Sequence, residues 1–110
     1  MSKPIDPNLA VDYILHNAGK FAAAKAERCF IEEFRKSKKA LLMGESPAKS
    51  AVEREQHAYS SDDYIVLLHG LKAAIETEER LKWELIGAQL RVDIWRSQEA
   101  SNRNQDRVLR

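Results

Sequence analysis

Four cations in five residues, Arg35-Lys36-Ser37-Lys38-Lys39, are the sharpest chemical feature of this 110-residue sequence. Clustered Lys and Arg attract phosphate, and Lys20, Lys25 and Lys49 extend the cluster. On a helix these four wrap around the axis rather than forming one stripe. They also fall near the C-terminal end of their segment, where the helix dipole favours cations without any ligand. A second set, Arg91, Arg96, Arg103, Arg107 and Arg110, surrounds Trp95. Arginines beside an aromatic ring suit single-stranded nucleic acid, but Trp95 also lies on an apolar seam, where a ring packs. Tyr59 and Tyr64 likewise read as packing residues.

Other reactive groups are sparse. A metal site needs two or three converging ligands, and the spacing of His16, His57 and His69 places no pair on one helical face. Cys29 would need an adjacent base to act as a nucleophile; beside Phe30 in an Ala-rich helix it reads as a small buried hydrophobe. Glu76, Glu78, Glu79 and Glu84 are interleaved with Arg80 and Lys82, the pattern of a solvated, ion-paired helix face. There is no glycine-rich phosphate loop, no Gly-x-Ser-x-Gly and no His-Glu-x-x-His. The expectation is a non-enzymatic protein with no catalytic residue, metal, cofactor or small-molecule substrate.

Composition bounds the elements that carry these groups. The chain is 44% hydrophobic and 32% charged, with 4 Gly and 3 Pro, the profile of long helices in one domain. Its net charge of +1 calls for no global field toward nucleic acid or membrane. The charge is nevertheless segregated. Nine Lys/Arg face six Asp/Glu in residues 1–50, four face eight in 51–90, and five face three in 91–110. Alternating blocks of +3, −4 and +2 suit head-to-tail or hairpin self-complementarity and leave two local basic patches. One cysteine permits no internal disulfide and fits a reducing cytoplasm. Neither a signal peptide nor a membrane span is expected.

The pattern predicts an all-α fold, a long antiparallel helical hairpin with short extra helices, coiled-coil-like and oligomeric. Residues 1–5 read as an arm. Asp6-Pro7 starts a short helix over 6–17, with Asn17-Ala18-Gly19 as its stop; a continuous bend into the next helix is the alternative. A long helix follows over 20–43, with Phe21, Ala24, Ala26, Phe30, Ile31, Phe34, Ala40, Leu41 and Leu42 as a broad apolar side. Ala22, Ala23, Ala24 and Ala26 admit a close partner helix. Gly44 and Pro47 end it. Ser50-Ala51-Val52-Glu53 is a capping box that opens a short helix over 50–59.

The last long helix is expected over 62–97, about 50–60 Å at 1.5 Å per residue. Tyr64, Leu67, Leu71, Ala74, Glu78, Leu81, Leu85, Ala88, Val92 and Trp95 advance by threes and fours, a heptad seam with one polar break at Glu78. Leu68, Ile75, Trp83, Ile86, Leu90 and Ile94 form a second stripe. Two stripes imply two neighbours, one within the chain and one from another subunit. The interface between subunits is expected at Leu67, Leu71, Leu81, Leu85, Ala88, Val92 and Trp95. Close backbone packing is expected at Gly70 and Gly87, offsetting their low helix propensity. Residues 98–110 read as a frayed, basic tail.

The runs Leu9-Ala10-Val11-Asp12-Tyr13-Ile14, Glu32-Glu33-Phe34-Arg35-Lys36-Ser37-Lys38-Lys39-Ala40-Leu41-Leu42-Met43, Ala51-Val52-Glu53-Arg54-Glu55-Gln56-His57-Ala58-Tyr59-Ser60, Glu78-Glu79-Arg80-Leu81-Lys82-Trp83 and Ile94-Trp95-Arg96-Ser97-Gln98-Glu99-Ala100-Ser101-Asn102-Arg103 resemble a group of small tailed-phage and prophage proteins. The resemblance spans nearly the whole chain and carries no catalytic motif. The group is associated with early regions that hold replication and recombination genes. The resemblance therefore implies an accessory role in DNA recombination or replication, in the cytoplasm of a bacterial host. Such a protein would bind DNA, single-stranded by preference, or a DNA-processing protein. Arg35, Lys36, Lys38, Lys39 and Arg96 are the candidate nucleic-acid contacts. An anti-defence or host-takeover protein that inhibits a bacterial enzyme is the alternative, and a structural adaptor is the third reading.

Overall fold

A computed structural model describes residues 3–109; Met1 and Ser2 of the expected arm and Arg110 of the basic tail lie outside the described residues. The described residues form three helices: α1 (Pro7–Glu45), α2 (Ala51–Ser60) and α3 (Asp62–Leu109). Among the described residues there is no strand, so the chain is an all-α helical hairpin.

Local chemistry sets the helix starts. Asp6 Oδ1 accepts the Asn8 amide at 2.9 Å, and Pro7 occupies the first helical position, where no donor is needed. Ser50 Oγ accepts the Glu53 amide at 3.1 Å, the N-cap half of the capping-box pattern. Asp62 and Asp63 sit in the first turn of α3, against the positive end of its dipole. Between α1 and α2, Arg54 Nε donates to the Ala48 carbonyl at 2.7 Å and holds the Pro47 turn.

Three boundaries differ from the sequence expectation. The helices expected over 6–17 and 20–43 are one continuous element of 39 residues. Gly19 carries no positive φ, so it serves as an ordinary helical residue and not as a left-handed cap. Gly44 also lies inside α1, which ends one residue later at Glu45. At the other end, the tail expected to fray is helical through Leu109.

The chain divides into two units: Ala22–Glu79, and Met1–Phe21 with Arg80–Arg110. Within Ala22–Glu79, α1 and α3 run antiparallel, since Arg28 meets Glu78 while Lys38 meets Asp63. Leu42, Ala58 and Tyr64, one from each helix, form a buried cluster with Met43 against it. The Tyr59 and Tyr64 rings meet edge-on at 5.3 Å between centroids, the packing role expected of them. In the other unit, Tyr13 of α1 reaches Glu84 of α3, and Ala10 and Ala88 are buried.

The broad apolar side of α1 is split by packing. Phe21, Ala24 and Ile31 are half-buried and Leu42 is buried, whereas Ala26, Phe30, Phe34, Ala40 and Leu41 remain exposed. Close backbone packing at Gly70 and Gly87 is not found: no atom lies within 4 Å of a Cβ built at either position.

Candidate interaction surfaces

Charged residues on the facing helices form specific pairs. Arg28 grips Glu78 with two bonds, Nε to Oε2 at 2.6 Å and Nη2 to Oε1 at 2.9 Å. Its Nη1 donates to Glu32 at 3.0 Å. These bonds, to Glu78 first and Glu32 second, hold the guanidinium protonated beyond the ordinary arginine range. Glu78 is only 8% exposed, so it is a buried carboxylate and not part of the solvated face expected of it. The polar break in the heptad is therefore the socket for Arg28. A carboxylate on an apolar seam requires a cation opposite, but nothing in the spacing names a partner 50 residues away.

A second cross-helix contact joins Tyr13 and Glu84, whose carboxylate accepts the phenol proton at 2.5 Å. That hydrogen bond, helped by desolvation and the carboxylate charge, raises the Tyr13 pKa above the ordinary tyrosine range. Tyr13 and Glu84 also line an open groove of about 1060 Å³ with Ile5, Leu9, Ala10 and Ala88.

The expected phosphate-binding cations are dispersed among these pairs. Lys39 donates to Glu55 at 2.7 Å and lies 4.8 Å from the Tyr59 ring centroid, tying α2 to α1. Its pKa is raised, first by the Glu55 bond and then by Tyr59. Lys38 sits 3.8 Å from Asp63 at the start of α3. Lys36 pairs with Glu33 at 3.4 Å in an exposed contact, and Arg35 is exposed. Arg96 pairs with Asp93 at 3.7 Å, while Trp95 is half-buried.

The residues expected between subunits lie along the inward seam of α3. Leu71 and Ala88 are each 7% exposed. Leu67, Leu81, Leu85, Val92 and Trp95 are half-buried. This heptad is largely occupied inside the chain, which leaves little of Leu71 or Ala88 for another subunit. The second stripe stays open at Leu68, Ile75, Trp83, Leu90 and Ile94, with Ile86 half-buried.

Cys29 is exposed, a correction to the buried position expected from its Ala-rich surroundings. His16 bonds the Asp12 carbonyl of its own helix at 3.0 Å. Among the described residues, no three His, Cys, Asp or Glu side chains converge to hold a metal ion. Also among them, no helix is long and apolar enough to cross a membrane. No family model, curated protein or solved structure matches the chain.

Proposed function

We propose that this protein is a non-enzymatic phage accessory factor of DNA recombination or replication, acting as a helical oligomer that binds a DNA-processing protein. The phage setting follows from the sequence resemblance. The binding role is carried by one observation: large apolar side chains stand in solvent along α1 and α3, including Phe30, Leu41, Trp83, Leu90 and Ile94. Contiguous exposed apolar surface marks sites of protein association.

Direct DNA binding is the second reading, and the exposed Arg35, Lys36 and Arg96 favour it. Protein binding ranks first because Lys38 and Lys39 are engaged by carboxylates of the same chain. The test combines two measurements: co-purification with DNA-processing proteins of the same phage, and anisotropy of labelled single- and double-stranded DNA at low and high salt. A stoichiometric complex with such a protein supports the first reading. DNA affinity that falls steeply with salt supports the second. Binding to neither overturns both.

A further inference from the structure

We propose that the outer face of α1, over residues 23–41, is where a second copy of this chain docks, antiparallel, about a two-fold axis near residue 32. This rests on the oligomeric reading above and gives it a site. Ala23, Ala26, Phe30, Phe34, Ser37 and Leu41 advance by threes and fours along the helix, and all six are exposed. None is charged. Phe30 and Phe34 are 64% and 37% exposed, and their rings stack at 5.8 Å, which places both on one face. By contrast, the open stripe of α3 is interrupted by Lys72, Glu79 and Lys82.

Two observations select a second copy as the occupant. The first is area. The chain exposes 8616 Å², whereas a compact monomer of 12.6 kDa exposes about 6,200 Å², an excess of roughly 2,400 Å². Obligate dimers bury about 2,000–5,000 Å² in total, or about 1,000–2,500 Å² per chain. The chain as a whole therefore has enough excess surface to supply one subunit's share of such an interface.

The second observation is self-complementarity. A two-fold axis near residue 32 sets each position opposite the one whose number brings the pair to about 64, the self-matching relation of an isologous contact. Phe30 then meets Phe34 of the other copy, and Phe34 meets its Phe30. Leu41 enters the space left by Ala23, and Ser37 faces Ala26. A parallel arrangement would instead set Ala23 against Ala23 and Ala26 against Ala26 and leave a gap between the alanines.

Light scattering on the full chain at micromolar concentration should give twice 12.6 kDa. The substitutions Phe30→Glu and Phe34→Glu together should halve that mass while leaving the helical circular dichroism intact, because both side chains are exposed. Cysteine cross-linking in a Cys29→Ser background then tests the register. Glu33→Cys lies within about 3 Å of its symmetry mate along the axis and should form an intersubunit disulfide. Ala40→Cys lies about 24 Å from its mate and should not. A monomeric wild type overturns this proposal and the oligomeric reading together. An oligomer that survives both Glu substitutions, or that cross-links equally at both cysteines, overturns the proposed face or register and leaves the oligomeric reading standing. A monomer that still binds a DNA-processing protein through Phe30 and Phe34 assigns the face to that partner instead, which also overturns the proposal.

Discussion

Leu42→Ala tests whether the small junction of α1, α2 and α3 holds Ala22–Glu79 together. Leu42 is only 3% exposed and packs with Ala58 and Tyr64, the latter also nearly covered. The substitution removes three carbons, and at about 0.8 kcal/mol per buried methylene the lost transfer energy is about 2.4 kcal/mol. Ala58 is fully enclosed and has no side chain long enough to refill the space, so a residual cavity adds to the loss. The expected total is about 3 kcal/mol, within the roughly 2–5 kcal/mol seen for buried Leu→Ala. Against a typical stability of about 5–15 kcal/mol this is a large share. It corresponds to a fall in Tm of about 12 °C, at about 4 °C per kcal/mol for a domain of this size.

The assay is urea unfolding followed by far-ultraviolet circular dichroism, with Val52→Ala as the control in the same unit. Val52 is exposed, so its truncation should stay within about 0.5 kcal/mol. Protein concentration is held equal throughout, since self-association would stabilise the folded chain by mass action. If Leu42→Ala is no worse than Val52→Ala, the three-helix junction is not the core of its unit and the packing argument fails.

Three further outcomes are expected. Gly70→Ala should raise stability by roughly 0.5–1 kcal/mol, because the added methyl enters open space in a helix interior; a loss in urea melts would mean that something packs against Gly70. Tyr13 should ionise above the ordinary tyrosine range in an ultraviolet pH titration, with Tyr13→Phe identifying its signal, and Glu84→Ala should bring it back. Because the folded state favours the neutral phenol, this contact contributes stability below the unfolded tyrosine pKa and loses it as pH rises through the raised folded value. An unshifted phenol in the wild type would remove the Tyr13–Glu84 contact from the account. Glu78→Ala should lower Tm much more than the exposed Glu76→Ala, since it strips Arg28 of its bidentate partner; equal effects would contradict the buried pair.

Much of the helical plan was legible in the residues themselves. The apolar steps of three and four from Tyr64 to Trp95, the Asp6-Pro7 start and the Ser50–Glu53 capping box are local patterns, and local hydrogen bonding or one-helix periodicity is enough to read them. The stops were harder. Gly19 and Gly44 look like caps in isolation, but a glycine ends a helix only when it adopts a positive φ, and neither does. Both are ordinary helical residues of a continuous α1.

Only the tertiary arrangement decided which apolar and charged groups face one another. The heptad of α3 was recognisable as a seam, yet periodicity alone cannot say whether a seam meets its own chain or another copy. Burial of Leu71 and Ala88 gives it largely to the chain itself, and leaves Phe30, Phe34 and Leu41 of α1 outside. Likewise, Lys38 and Lys39 read as part of a phosphate patch until the fold set Asp63 and Glu55 beside them. The physical reason is the same in each case. Periodicity records which side of a helix is apolar or charged, whereas partners far apart in sequence are chosen by the path of the chain.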